Sequence, residues 1–439
     1  MPMHATDSIK LGVTYIEQTL KTTVTAEELA GMAGYSVWHY CRLFAKIMGM
    51  PVAAYISKRR LDGALLEISA GRKAADVVPE YGFDTYAGFY KAFVRVYGCF
   101  PKKYLTLYGG HQSKRLGENF MVMEHELRDA LANWDIPQDL QLRDIYILDG
   151  AKVSGHVWAV GDGYILKTGE RGRLMNNIRI GEALSAQGFA SAAAIATKSG
   201  EVYLDGERVF TLSHKVPGGP LPKDCRWGSE RHDYGHKLGQ GIAKLHRALA
   251  SVEAAIMPDE TNLYEQVCGR SMPNVQKQNE QWGMGLTDGF FKEYAEVFGA
   301  VFSKLPKQLI HRDPHPSNIL FHRGEVSGFI GFDLGERSIR LWDPCYCATG
   351  ILSEASEIAE PYDKWIDILG AILKGYDSVN SLTEGEKQAI FYVICSIQMI
   401  CIAYFESIDE YKELAKTNRE MLMAIAKNKV RIMGLAEAL

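Results

Sequence analysis

The 439-residue chain has eight cysteines, at positions 41, 99, 225, 268, 345, 347, 395 and 401, but no Cys-x-x-Cys pair. That spacing argues against a zinc ribbon or a dithiol redox centre and fits reduced thiols in a cytoplasm. No basic-then-apolar segment at the start directs export, so the protein is expected in the cytoplasm and off the membrane. The longest apolar run, Ala389 to Phe405, is seventeen residues and carries Ser396 and Gln398. It falls short of the roughly 20 residues that span a bilayer. Thr383-Glu384-Gly385-Glu386 before it has capping-box spacing, so a buried soluble helix is predicted. A Gly-x-Gly-x-x-Gly phosphate loop is also missing.

Neither sign of charge dominates: 49 Lys and Arg against 53 Asp and Glu leave a net charge of −4. The distribution is uneven. Residues 1–108 hold 13 basic and 9 acidic side chains, a basic head on an acidic body. This hints at a nucleic-acid module joined to something else. Hydrophobic residues make up 47%, ample for packed cores, and the length has room for about two to four domains.

From Asp7 the chain reads as short helices between glycine turns. Thr25-Ala26-Glu27-Glu28 opens a capped helix whose apolar face is Leu29, Met32 and Ala33; Gly34-Tyr35-Ser36 breaks it, and Val37 to Met48 forms the next helix. Helix, short turn, helix is the geometry that puts a second helix into a major groove. The pattern then recurs. Lys73 to Glu80 is followed by a turn at Tyr81-Gly82-Phe83 and a helix from Thr85 to Tyr97, closed by Gly98. Ala53 to Ala70 joins the copies and is helical by periodicity.

At these residues the run from Ile9 to Tyr104 resembles the DNA-binding domain of the AraC family of bacterial regulators. The features that carry it are Leu29-Ala30, Gly34-Tyr35-Ser36, Arg42-Leu43-Phe44, Arg59-Arg60-Leu61, Tyr81-Gly82-Phe83, Phe89, Phe93, and Gly98 with Pro101. The resemblance implies that Val37, Trp38, His39 and Arg42 meet double-stranded DNA in the first unit, and Tyr86, Ala87, Tyr90 and Lys91 in the second. Pro79 late in a helix, Gly88 inside one and Phe100 before the proline depart from the pattern and predict a weaker second unit. Leu105 to about Met121, with Gly109-Gly110-His111-Gln112-Ser113-Lys114, reads as a linker.

Further on, His311-Arg312-Asp313-Pro314-His315-Pro316-Ser317-Asn318 sits between two apolar segments. Phosphoryl transfer needs a carboxylate beside the acceptor hydroxyl and, a few residues on, an oxygen ligand for magnesium; Asp313 and Asn318 have that spacing. The octapeptide resembles the catalytic loop of the aminoglycoside phosphotransferase and choline kinase-like families, over roughly Ile145 to Leu439. By this resemblance Asp313 is the catalytic base and Asn318 a metal ligand. Lys167, ending the segment Tyr164-Ile165-Leu166-Lys167, holds the α- and β-phosphates of ATP, paired with Glu182 in a helix from Arg179 to Gln187. Taken alone, such a Lys and Glu are ordinary surface residues.

Strand patterns are predicted from Ile145 to Lys167, with Ala151 to Val160 as a hairpin, and twice between Val202 and Val216 around Asp205-Gly206. Phe210 to His214 would be the hinge, with Leu212 and His214 offering backbone groups to an adenine edge. His246, in an amphipathic helix from Tyr234 to Leu249, is expected to pack or cap. Asp343-Pro344 matches the family's structural Asp-Pro. The family's principal magnesium ligand falls at position 331, and that residue is Gly331. Asp333 is the nearest carboxylate and the candidate replacement. Glu354, Glu357, Glu360 and Asp363 either greet a cationic acceptor or form a solvated helix face.

The fold class predicted is multidomain: an all-α double helix-turn-helix domain (1–108), a linker (109–121), and an α+β two-lobed protein-kinase-like domain (122–216 and 217–439). Two functions compete. One is a regulator with a phosphotransferase domain that binds ATP and magnesium and phosphorylates a small-molecule acceptor. The other is a regulator whose kinase-like domain, impaired at Gly331, only senses a ligand.

Overall fold

The computed structural model describes residues 5–48, 50–69, 71–97, 101, 124–147, 152–190, 193–206, 208–407 and 411–439. Gly98, Phe100 and the expected linker at 109–121 lie outside them. The chain forms two compact units, 1–131 with 144–155, and 132–143 with 156–439.

The first unit carries six helices: α1 (Ala5–Gln18), α2 (Ala26–Ala33), α3 (Val37–Met48), α4 (Val52–Ser69), α5 (Ala74–Glu80) and α6 (Tyr86–Tyr97). Local chemistry sets the boundaries. Thr25 Oγ1 accepts the Glu28 N–H at 3.2 Å while the Glu28 carboxylate accepts the Thr25 N–H at 3.0 Å, a closed capping box. Both turns bend at a left-handed glycine, Gly34 at φ 69° and Gly82 at φ 81°, a conformation a Cβ disfavours.

Two apolar clusters result, one around Leu29, Tyr40 and Phe44, the other around Val77, Phe89 and Phe93. Tyr40 with Phe44 and Phe89 with Phe93 are i, i+4 pairs on the second helix of each copy, so the repeat is one of packing as well as of turns. The linking α4 puts Tyr55 in the first core and Leu61 in the second. Gly88 proves less costly than expected. It lies in the first turn of α6, where its N–H is capped by Thr85 Oγ1 at 3.0 Å.

The second unit opens with strands β1 (Leu142–Ile147), β2 (Lys152–Val160), β3 (Tyr164–Gly169) and β4 (Val209–His214), in that order across one sheet. Residues 152–160 form one strand, not a hairpin, and only one strand forms between 202 and 216. Leu204 contributes an isolated bridge to Phe210. Trp158, Leu166 and Leu212 stand opposite one another and are buried. The helix expected from Arg179 starts earlier and runs Arg171–Ala186.

Beyond the sheet lies a helical body. Its long helix Arg231–Ile256 packs on Pro361–Asp377 so closely that a Cβ on Gly239 would lie 1.9 Å from Ile372 O. Among the described residues one helix, Glu384–Glu406, is long and apolar enough to cross a membrane, and 67% of its most apolar window is buried inside the fold. It opens with the predicted capping box at Thr383 and Glu386.

Candidate functional site

On the first unit, the N–H groups that open α3 are served by Ser36, whose Oγ accepts from His39 at 3.3 Å. Val37, Trp38, His39 and Arg42 are all exposed there, Trp38 at 66%. The Arg42 guanidinium lies 4.5 Å from the Trp38 ring centre, a cation–π pair that holds it along the helix face. On α6, Tyr86, Ala87 and Lys91 are exposed, whereas Tyr90 is half-buried, its ring 6.3 Å from that of Tyr86.

The loop His311–Asn318 lies between strands Lys307–Ile310 and Ile319–His322. Ile319 pairs opposite Phe329 and Ile310 opposite Glu336, so two short ladders bracket the loop and bring the turn after Phe329 against it. Ile330 N–H donates to Asn318 O at 3.0 Å, and His311 Nε2 meets Ile330 O at 2.9 Å.

Asp343 anchors this assembly. Fully buried, it accepts the His311 N–H at 2.9 Å and the Arg312 N–H at 3.0 Å, with His246 Nε2 2.9 Å away. His246 Nδ1 in turn lies 2.7 Å from the Tyr376 hydroxyl; the residue packs and positions. Arg312 adopts φ 70°, rare for a residue with a side chain. Its guanidinium sits 3.6 Å over Trp342 and 3.1 Å from Glu336, and burial lowers its pKa.

This frame presents Asp313, half-buried, with its carboxylate and its carbonyl both accepting from Asn318 Nδ2, at 3.0 and 2.9 Å. No cation pairs with Asp313 among the described residues. Burial, and then the Asp313 charge, push the Tyr346 hydroxyl well above its ordinary pKa. Burial lowers the pKa of His315.

Gly331 stands beside Asn318 at φ 82°, ψ 47°. A Cβ there would lie 3.3 Å from three atoms of the Asn318 amide. Asp333 belongs to the short turn Phe332–Leu334, and its side chain lies outside the described residues. Magnesium asks for near-octahedral oxygen ligands. The described donors do not fit it: position 331 offers no side chain, and no group of three His, Cys, Asp or Glu side chains converges among the described residues.

The nucleotide-side expectations fare unevenly. Lys167 is half-buried on β3, opposite Val157 and Thr211. Glu182 is exposed, and no described contact joins the two. Leu212 and His214 do not offer the expected backbone groups: Leu212 O accepts from Ile195 N–H at 2.8 Å and His214 N–H donates to Ala193 O at 3.2 Å. Residues 193–195 flank this strand on the side away from β3, which leaves no free edge there.

One charged pair was missed. Arg226, 8% exposed on the short helix Lys223–Trp227, donates to Glu354 and to Leu221 O. No motif marks it. The supposed acidic row is not a helix face either: Glu354 caps the Trp342–Ser353 helix, Glu357 and Glu360 lie in the following link, and Asp363 pairs with Arg431 at 2.6 Å.

Comparison with known proteins agrees with this division. A helix-turn-helix domain model matches residues 29–106, and the model of a phosphotransferase enzyme family matches 147–377. The HTH-type transcriptional activator AarP of Providencia stuartii is 34% identical over 91 residues, 20% of this chain and 67% of that protein. The homoserine kinase of Phenylobacterium zucineum is 24% identical over 280 residues, 61% of this chain and 80% of that enzyme. A solved amicoumacin kinase, hAmiN, with AMP-PNP, Ca2+ and Ami superposes with a TM-score of 0.50 at 15% identity, over 69% of this chain and 94% of its own. The chain belongs to the phosphotransferase enzyme family and carries, ahead of that domain, an AraC-type helix-turn-helix domain of DNA-binding regulators.

Proposed function

We propose that this protein is a transcription regulator whose phosphotransferase-like domain works as a small-molecule sensor. One observation carries the reading. Where the family places a magnesium ligand, a left-handed glycine lies against the amide of Asn318, which is itself turned onto Asp313. Without that carboxylate the charge on a transferring phosphoryl group goes unneutralised. The scaffold that shapes a ligand pocket around Asp313 is retained, and DNA binding in the cytoplasm is the output.

A second reading, a small-molecule phosphotransferase, is favoured by the intact Asp313–Asn318 pair. It requires Asp333 to have taken over the metal and Lys167 to hold ATP. Calorimetric titration of the full chain with AMP-PNP, with and without magnesium, decides between them. The sensor reading expects affinity indifferent to magnesium and no ATP turnover with any acceptor. Magnesium-dependent binding lost in Asp333→Ala, with turnover lost by about 10²–10⁴-fold in Asp313→Asn, would establish the enzyme.

A further inference from the structure

The Trp342–Ser353 helix abuts the catalytic loop at Gly350, where a Cβ would come 2.8 Å from His315 Cδ2 and 2.9 Å from Pro316 Cδ. Glu354 follows Gly350 by four residues and so faces the same side, about one helical turn, or 5.4 Å, further along. Its carboxylate is met by the Arg226 guanidinium, which reaches across from the Lys223–Trp227 helix. That helix is tied to the same corner a second time, by Lys223 Nζ donating to Ser356 O at 2.9 Å. The Arg226–Glu354 pair therefore stands beside the loop that carries Asp313. In keeping with this, the His315 ring feels the charges of Glu354, Asp313 and Arg226 together.

The pair is incomplete. Arg226 is nine-tenths buried, yet its Nε has no hydrogen-bond partner, and a buried donor left unmet is costly. One edge of the guanidinium fork is therefore unused, and Glu354 remains partly open, with 28% of its side chain exposed. A ligand entering here must respect the electrostatics of a half-buried ion pair. A cation alone would displace Arg226 and strand its charge, and an anion alone would strand Glu354. A molecule bearing both charges exchanges with the pair one for one.

We propose that Arg226 and Glu354 are the recognition end of the ligand site beside Asp313, and that they take a small zwitterion, an amino acid with a side-chain hydroxyl. Its carboxylate lies in the Arg226 fork, its ammonium on Glu354, and its hydroxyl toward Asp313. This rests on reading the domain as ligand-binding, whether or not it transfers phosphate.

The test is calorimetry and thermal-shift titration of the full-length protein without nucleotide or magnesium. The probes are L-serine and L-homoserine, the amino alcohols that lack the carboxylate (ethanolamine and 3-aminopropan-1-ol), and the hydroxy acids that lack the amine (3-hydroxypropionate and 4-hydroxybutyrate). At least one amino acid is expected to bind tenfold or more tighter than both of its counterparts. Arg226→Gln should erase the preference over the amino alcohol, and Glu354→Gln, nearly isosteric and the safer variant for folding, the preference over the hydroxy acid.

An amino alcohol that binds as well as its amino acid overturns the proposal, and so does a lack of binding by all six probes. Lowered melting in both variants with the ligand preference unchanged would make the pair a structural latch and overturn it as well. Because nucleotide is absent, failure here leaves the magnesium-independence of AMP-PNP binding standing, and the converse holds.

Discussion

The two functional regions differ in what they have kept. On the helix-turn-helix unit the reading residues of the first copy are all exposed on one capped helix, and the second copy repeats the packing with Phe89 and Phe93. In the phosphotransferase domain the positioning groups survive, with Asp343 meeting three donors, while the position that should complete a metal site is a bare backbone turn. Contacts that hold a fold are retained wherever the fold is needed. Groups that only chemistry needs are retained only where the chemistry is. The contrast teaches that an intact catalytic-loop motif certifies the scaffold, and that the reaction has to be read from the turn opposite.

The largest effect should come from removing the anchor. Asp343→Ala leaves His246 and two backbone donors of the loop unmet in the interior, and a loss of about 3–5 kcal/mol in chemical denaturation is expected. A loss below about 1 kcal/mol would show that the loop is held by the strand ladders alone. Next is the DNA face. Arg42→Ala should weaken operator binding by about 1–3 kcal/mol and relax base preference at one position, read by gel shift at fixed salt. Lys91→Ala, in the weaker copy, should cost less. Equal losses would remove the asymmetry expected between the units.

Gly331→Asp probes the other side of the contrast. A side chain at φ 82° against Asn318 is expected to destabilise by about 1–2 kcal/mol, with AMP-PNP affinity still indifferent to magnesium. Restored magnesium dependence would mean the site lacks only that carboxylate. The smallest effect concerns pH. Burial holds the His311 and His315 rings below the ordinary value of 6.5, so on acidification the unfolded chain takes up their protons first. Their contribution is complete above about pH 6.5 and is lost as the pH falls through the folded values. The melting temperature should decline on that acid side, less steeply in His315→Asn.

Much of this was legible in the sequence, for physical reasons. The doubled unit was, because left-handed glycines, capping boxes and i, i+4 aromatics are local signals. The loop was as well, because Asp313 and Asn318 are five residues apart and touch. Long-range pairs were not legible: Arg226 and Glu354 are 128 residues apart, and nothing periodic links them. The adenine-edge assignment to Leu212 and His214 failed for a similar reason. The segment at 193–195 that covers that edge has no strand pattern of its own. Gly88 was misjudged by one helical turn, since only the observed start of α6 at Tyr86 places it among the capped residues.

The 18-residue α4, about 27 Å long at 1.5 Å per residue, has the buried Arg59 near its middle, pinned to Glu17 at 2.7 Å and Asp62 at 2.8 Å. It acts as a ruler with a clamp at its midpoint. The two recognition helices at its ends therefore keep a constant phase, and the DNA has to supply the match. Inserting one base pair between the two contacted segments would swing the far groove by roughly 35°, and no bend in the protein is available to follow it. An operator for this regulator should thus read as two short blocks at an invariant offset, tolerant of any sequence between them and intolerant of any change in its length.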